Sequence, residues 1–267
     1  MPEAYIQRGN RPFESHLEGR TAANAAGFLL PHLRAGMRVL DIGCGPGTIT
    51  LGLAQAVAPG EVVGVDVQPP MIERARALAA GRRVANVRFE VADAYDLPFA
   101  DRSFDAALQH MVLMHLPEPV RALREVRRVL RPGGVFGIRD PDLATTVRWP
   151  SSPEFERFLE LRLRAHAEQG SDGLVARKHR QLLLAAGFGR TEARAVTFGG
   201  GTTPEVQAAR ATWLKAQLVG IARTALEKGW LDQDGIDAIA ADIDAWAARA
   251  DAVFFTVICE TLGWVTA

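Results

Sequence analysis

The chain has 267 residues, of which 48% are hydrophobic and 23% charged, which suits a globular α/β protein with a sizeable core. Lys and Arg number 31, as do Asp and Glu, so no global field attracts nucleic acid or an anionic membrane. The N-terminus lacks signal-peptide character, no apolar run could span a bilayer, and Cys44 and Cys259 form no metal pattern. We therefore expect a cytoplasmic protein with no nucleic-acid partner, no membrane partner and no metal.

Strands and helices alternate along the first half of the chain, after a helical preface predicted for residues 1–36. Five short apolar strands are predicted at 38–42, 62–66, 87–91, 104–108 and 135–139. Helices are predicted between them at 48–57, 70–80 and 120–130. This alternation predicts a parallel sheet with helices on both faces.

The pattern changes after residue 140. Further helices are predicted at 152–168, 173–186, 204–228 and 234–249, and two more strands at 190–198 and 252–264. We interpret residues 1–267 as a single domain, in which an N-terminal lid (1–36) precedes a cofactor-binding core (37–140). Segments 141–175 and 200–250 are expected to form a helical cap over the carboxyl edge of the sheet.

A glycine-rich loop follows the first predicted strand. Residues 41–48 read Asp-Ile-Gly-Cys-Gly-Pro-Gly-Thr, and glycines let the backbone turn tightly and approach a ligand closely. Ligands of open parallel sheets bind outside the carboxyl ends of the strands. Asp66 ends the second predicted strand, where a carboxylate can accept hydrogen bonds from both hydroxyls of a ribose. The loop and the acid together indicate a nucleoside-bearing cofactor.

The spacing of the loop helps to identify the cofactor. A dinucleotide fingerprint requires a glycine at position 48, which is Thr48 here, and the third glycine, Gly47, comes one residue early. Asp41 would repel a pyrophosphate but suits the ammonium group of an amino-acid-like ligand. These features argue against a nicotinamide oxidoreductase. No Gly-Lys-Ser/Thr follows the loop, which excludes a P-loop.

Residues 39–48 resemble motif I of the class I S-adenosylmethionine-dependent methyltransferases. Further stretches resemble that family in order and spacing over residues 20–190: 63–66, 92–94, 97–99, 103–105, 113–116 and 123–134. The combination is similar to the ubiquinone/menaquinone-biosynthesis-type, small-molecule branch. The resemblance implies a Rossmann-like α/β fold with a seven-stranded, mostly parallel sheet, helices on both faces, an antiparallel C-terminal strand and a helical cap. It implies S-adenosylmethionine as cofactor and S-adenosylhomocysteine as product.

The resemblance also implies cofactor-binding positions in the loop, after the next three strands and in the N-terminal helix. They are His16, Arg20, Asp41, Gly43, Cys44, Gly45, Asp66, Val67, Met71, Ala92, Asp93, Ala94, Gln109 and His110. Asp66 is expected to bind the ribose and Asp93 the adenine amino group. Cys44 and Met71 also suit packed core positions.

Two residues are candidates for catalysis. Imidazole titrates near neutral pH, so His110, at the predicted mouth of the substrate site, is a candidate base or hydrogen-bond donor. Asp140 follows the fifth predicted strand and is a candidate for orienting a hydroxyl or amine. His115 better fits a structural role, and His179 is expected at the surface.

The expected reaction is methyl transfer to an O, N or C atom of a small-molecule acceptor. The aromatic residues of the cap favour an apolar or aromatic metabolite. The alternative is a relative that binds S-adenosylmethionine without methylating. The sequence leaves monomer and homodimer equally open.

Overall fold

The computed structural model describes residues 19–200 and 203–266. Five parallel strands form the centre of its sheet, in the order β3-β2-β1-β4-β5. They are β1 (Val39–Ile42), β2 (Val62–Asp66), β3 (Val87–Val91), β4 (Phe104–His110) and β5 (Leu130–Pro141). Because the strand order reverses between β1 and β4, a crevice opens beyond the carboxyl ends of these two strands. The predicted parallel sheet is confirmed.

The remaining strands pair with β8 (Val253–Trp264), which runs antiparallel to β5. β7 (Arg190–Gly199) pairs along the opposite edge of β8, and β6 (Val147–Trp149) pairs near its start. Phe255 is the register partner of both Val147 and Gly199, so β6 and β7 flank β8 on opposite sides. The predicted antiparallel C-terminal strand is confirmed. β6 is an additional eighth strand, whose three residues are too few to show an alternating pattern.

Eight α-helices occur in the described residues. They are α1 (Ala22–Ala25), α2 (Thr48–Val57), α3 (Pro69–Gly81), α4 (Pro119–Val129), α5 (Pro153–Glu168), α6 (His179–Ala185), α7 (Pro204–Glu227) and α8 (Gln233–Ala247). Two predicted helical segments differ from the structure. The helix predicted over 173–186 begins as a 3₁₀ turn at Val175–Lys178. Of the helical preface predicted over 1–36, residues 1–18 lie outside the described residues, and residues 19–36 form α1 and a 3₁₀ turn at Leu30–His32 in place of one continuous helix.

Helices α5, α7 and α8 form a layer with its own apolar core, which we call the helical cap. Phe155, Leu214 and Trp246 lie in this core, and Phe254 extends it to the start of β8. The two faces of the sheet pack against separate clusters, one beneath α4 and α6 and the other beneath α1 and α2. The cap therefore meets the sheet beside the carboxyl ends of β4 and β5.

A buried arginine joins the cap to the sheet. The Arg148 side chain of β6 is 1% exposed, and its Nη2 lies 2.7 Å from Asp242 Oδ2 of α8. The same nitrogen donates to Ser152 Oγ, the N-cap of α5, and the guanidinium lies 4.2 Å from the ring centroid of Phe155. One side chain thus connects a strand to two cap helices.

We expect Arg148→Met to lower the free energy of unfolding by on the order of 3 kcal/mol, because it leaves Asp242 as an uncompensated, largely buried carboxylate. The matched control is Arg249→Met, which removes an exposed pair with Asp251 and should leave the stability nearly unchanged, because solvent screens exposed ion pairs. Urea denaturation of both variants measures the difference. Equal stability of the two variants would show that Arg148 does not anchor the cap.

Candidate cofactor site

The loop after β1 has a backbone that only glycine adopts easily. Gly43, Gly45 and Gly47 have φ values of +71°, +52° and +82°, in the left-handed region. A Cβ added to Gly43 would lie 2.3 Å from Val112 Cγ2. The amides of Gly43 and Cys44 both donate to the Val65 carbonyl, at 2.8 and 2.9 Å, and so hold the loop beside β2.

Asp66 holds the same loop through its side chain. Its Oδ2 accepts from the Gly45 amide at 3.0 Å and its Oδ1 from the Gln68 amide at 2.9 Å. Burial raises the pKa of this carboxyl above its usual range, although both hydrogen bonds oppose the change. The carboxylate therefore stands at the junction of the loop and the segment after β2, where the cofactor ribose was expected.

Asp41 lies deeper in the same site. It is 2% exposed, and its Oδ2 accepts from Thr50 Oγ1 at 2.6 Å. Burial raises the pKa of Asp41 to about 7, with a smaller contribution in the same direction from the charge of Asp66. Two carboxyl groups at the base of the site thus favour a positively charged ligand group.

A cavity of about 750 Å³ opens above these carboxyl groups. Twelve of the predicted cofactor positions line it: Arg20, Asp41, Gly43, Cys44, Gly45, Asp66, Val67, Met71, Ala92, Asp93, Ala94 and His110. Burial raises the pKa of the Cys44 thiol well above its usual range, so this residue packs as a neutral thiol and is no nucleophile. His16 lies outside the described residues.

Gln109 does not reach the cavity. Its neighbour His110 does, and successive side chains of a strand point to opposite faces. Gln109 is fully buried beside Ile42 and Ile138, its register partners. Its amide has no hydrogen-bond partner in the part of the chain that the structure describes. The structure gives no contact between this side chain and the predicted cofactor site.

Asp140 is fully buried and lines no cavity described here. Its Oδ2 lies 3.2 Å from Nε2 of His179, whose Nδ1 lies 3.2 Å from Thr261 Oγ1. The expectation that His179 is a surface residue is wrong, since it is only 1% exposed. His179 is the first residue of α6, and this helix packs on β7 and β8. Asp140 therefore binds His179 where an acceptor contact had been predicted.

His110 lines the cavity between two guanidinium groups. Arg139 Nη1 lies 2.9 Å from Nε2, and Arg20 Nη1 lies 3.5 Å from Nδ1. Burial and the charges of Arg20 and Arg139 hold the pKa of His110 well below its usual range, so the ring is neutral. Because a guanidinium can only donate, Nε2 accepts a hydrogen bond from Arg139. This arrangement disfavours the base role.

A second, smaller cavity of about 80 Å³ adjoins the first, and both are bordered by Arg20, Met111 and His115. It lies between the ends of β4, β5 and β8 and the helical cap. Its other lining residues are Met114, Pro141, Leu143, Arg162, His166, Phe198, Trp213, Gln217, Ile221, Thr256 and Ile258. His115, expected to be structural, is thus the histidine shared by both cavities.

Several residues of the larger cavity were not predicted. They come from the loops after β3 and β4 and from the first turn of α4: Tyr95, Asp96, Met111, Val112, His115, Leu116, Pro117, Glu118 and Arg121. The Glu118 amide donates to Tyr95 Oη at 3.0 Å, which links the two loops across the rim. The signal available in the sequence was the position of residues 111–118 directly after a strand that borders the crevice.

The described ranges meet the requirements of neither a metal site nor a membrane-spanning helix. Neither 19–200 nor 203–266 contains a group of three or more His, Cys, Asp or Glu side chains that could hold a metal ion. Within the same limits, no helix has both the length and the apolar character needed to cross a bilayer.

Comparison with known proteins identifies the class to which this fold and site belong. The model of a family described as "Methyltransferase domain" matches residues 33–174. A probable methyltransferase of Aspergillus luteorubrus, ltbC, is 29% identical over 266 residues, covering 92% of this chain and 91% of its own. The YcgJ protein of Bacillus subtilis has the same fold, with a TM-score of 0.59, 22% identity and coverage of 95% and 99% of the two chains.

Two further relatives match about half of the chain. An uncharacterized methyltransferase of Schizosaccharomyces pombe is 34% identical over 151 residues, 54% of each chain. Demethylmenaquinone methyltransferase of Staphylococcus aureus is 40% identical over 130 residues, 48% of this chain and 51% of its own. The chain thus spans about half the length of these two curated relatives.

The chain belongs to the class I S-adenosylmethionine-dependent methyltransferase family. The cofactor of that family is S-adenosylmethionine, and the residues present fit it. The glycine loop leaves room for its backbone to approach a ligand, Asp66 suits a ribose, and the buried carboxyl of Asp41 suits an ammonium group.

The raised pKa of Asp41 has a measurable consequence for stability. In the unfolded chain the carboxyl titrates near 3.8, and in the cofactor-free fold near 7, so the folded state binds more protons between these values. Stability therefore falls as the pH rises through this window. We expect Asp41→Asn, which mimics the neutral acid, to raise the free energy of unfolding by on the order of 4 kcal/mol at about pH 8.

The gain should shrink as the pH falls through this window and vanish below about pH 3, where wild-type Asp41 is protonated in both states. Urea denaturation across this pH range measures it. The exposed variant Asp101→Asn is the control, with the same chemical change and no gain expected. A pH-independent effect of Asp41→Asn would show that the carboxyl is not held at a raised pKa.

Proposed function

We propose that this protein transfers a methyl group from S-adenosylmethionine to an O, N or C atom of a small-molecule acceptor with an apolar or aromatic body. The observation that carries the proposal is the pair of adjoining cavities. The larger has the glycine loop and two buried carboxyl groups, and the smaller lies against Trp213 of the cap and Phe198 of β7. The two meet at Met111 and His115, where we place the methyl group.

The bound cofactor supplies a methyl group already activated by its sulfonium, so no covalent enzyme intermediate is needed. We assign Asp66 to the ribose and Asp41 to the ammonium group. Arg20, beside His110 and Met111, is assigned to the carboxylate. The adenine fits between Val67, Met71 and the segment 92–94. Catalysis then rests mainly on holding the acceptor in line with the methyl group and on excluding water.

Asp66→Ala tests the cofactor assignment. We expect the affinity for S-adenosylhomocysteine to fall by about 100-fold, because hydrogen bonds to a charged partner contribute roughly 1.5–3 kcal/mol each. Isothermal titration calorimetry measures the affinity, and thermal unfolding checks that the variant is folded. Asp101→Ala, which removes an exposed carboxylate, should leave the affinity unchanged. An unchanged affinity in Asp66→Ala would refute the ribose assignment.

The transfer itself is tested with methyl-labelled S-adenosylmethionine and a panel of phenols, aromatic acids and amines. Label in an extractable product supports the proposal. Intact binding of S-adenosylhomocysteine with no label transferred to any acceptor would favour the alternative, a binding protein that does not methylate.

His115 is our candidate for the group that orients the acceptor. Burial, with smaller effects of His166 and Arg20, holds the pKa of His115 well below its usual range. The neutral ring can therefore accept a hydrogen bond from a hydroxyl or amine at neutral pH. Its ring stacks on that of His166, with centroids 5.4 Å apart, which restricts its orientation.

We expect His115→Ala to lower kcat by about 100-fold, as for other positioned acid–base groups, with the best acceptor from the labelling assay. Binding of S-adenosylhomocysteine should change by less than about threefold, since its principal polar contacts are elsewhere. His32→Ala, distant from both cavities, is the control. A loss of cofactor affinity that accounts for the whole loss of activity would assign His115 to the cofactor and not to the acceptor.

A further inference from the structure

The smaller cavity has one feature that an apolar acceptor does not explain. Most of its lining is apolar or aromatic, including Leu143, Phe198, Trp213 and Ile258. Arg162 of α5 lies in the same lining, although the side chain is well removed from solvent. This residue is only 6% exposed.

Arg162 has no carboxylate partner in the part of the chain that the structure describes. There its Nη1 donates to Thr146 Oγ1 at 3.5 Å, the limit of a useful contact, and its guanidinium carbon lies 5.6 Å from the ring centroid of Phe158. No Asp or Glu within the described ranges forms an ion pair with it. The two acids at the end of β5 have other partners, Asp142 binding Arg177 and Asp140 binding His179. Burial lowers the pKa of Arg162 to about 10, so the guanidinium remains protonated at neutral pH.

The other buried arginines differ in this respect. Of those described, Arg139 pairs with Glu260 at 3.0 Å and Arg148 with Asp242 at 2.7 Å. A buried charge without a partner destabilises a fold. The unpaired arginine is the one of these three that lines the small cavity, so a ligand that enters there can supply the missing charge.

The remaining titratable groups of this cavity do not compete for an anion. His166 and His115 are neutral, since burial lowers the pKa of His166 to about 4 and that of His115 well below its usual range. Arg20 lies at the border of both cavities, beside His110 and Met111, where the proposed function assigns it to the cofactor. One positive charge, that of Arg162, is thus left for the acceptor.

We propose that the acceptor is a monoanion, a carboxylate on an aromatic or apolar body, and that Arg162 binds this carboxylate in the smaller cavity. That the bound molecule is the methyl acceptor rests on the proposed function. A carboxylate matches the planar fork of a guanidinium, and its single charge equals the single charge available. A dianionic phosphate would leave one negative charge buried and unpaired. The body of the acceptor packs against Phe198 and Trp213, with its nucleophilic atom towards His115.

Benzoate, benzamide and phenylphosphonate are suitable probes, because they share one ring and differ in charge. Each is titrated by calorimetry into the protein saturated with S-adenosylhomocysteine. We expect benzoate to bind in the millimolar range, at least about tenfold more tightly than benzamide or phenylphosphonate. Arg162→Met should remove this preference, and Arg162→Lys should retain part of it. Arg164→Met, the same change on the exposed side of α5, should leave it intact.

A second readout needs no ligand. Because Arg162→Met removes an unpaired buried charge, the ligand-free variant should unfold at a higher temperature than the wild type, opposite to Arg148→Met. Equal binding of benzoate and benzamide, tighter binding of phenylphosphonate, an unchanged preference in Arg162→Met, or no binding of benzoate at millimolar concentration would each overturn the proposal.

Benzoate binding is measured without turnover, so the anion site at Arg162 and methyl transfer are tested separately. Arg162-dependent binding of benzoate with no transfer of label from S-adenosylmethionine would keep the anion site and refute methylation. Transfer of label to neutral acceptors only, at equal rates in wild type and Arg162→Met, would keep methylation and refute the anion site.

Discussion

The rest of the site depends on the contact between the Asp66 carboxylate and the Gly45 amide. It joins the end of β2 to the loop that leaves β1, two segments that are also joined by hydrogen bonds to the Val65 carbonyl. The contact requires a loop that turns with positive φ at three positions, which glycine tolerates without strain. With the loop held in this way, the crevice between β1 and β4 becomes a cavity with two carboxyl groups at its base.

The distribution of charge separates the parts of the molecule that hold the fold together from those that meet ligands. The buried pairs Arg139–Glu260 and Arg148–Asp242 line neither cavity. Around the cavities, Asp41 has a pKa shifted towards its neutral form and Arg162 is charged without an acidic partner. Such groups cost stability in the ligand-free protein. Under the proposed function the cofactor and the acceptor supply the opposite charges.

Predictions from the sequence were accurate where a feature depends on residues that are neighbours in the chain. The cofactor positions that line the larger cavity lie in short segments directly after strands, so strand ends and glycine spacing were enough to locate them. Gln109 lies in such a segment but faces the other side of β4. Alternation along a strand places Gln109 and His110 on opposite faces, but which of the two faces the site is known only once the register of β4 is known. His179 was placed at the surface because its burial depends on β8, more than seventy residues further along the chain.

What the sequence determined by itself was the alternation of strands and helices, the glycine loop and the acids at the strand ends, because each depends on backbone constraints among near neighbours. The tertiary structure decided which charges are paired, which histidines are neutral and which residues line the smaller cavity. Arg20, His115, Arg162, Trp213 and Ile258 come from distant segments, and only the packing of the cap on the sheet brings them together. Burial and charge pairing are properties of that packing, and no local pattern encodes them.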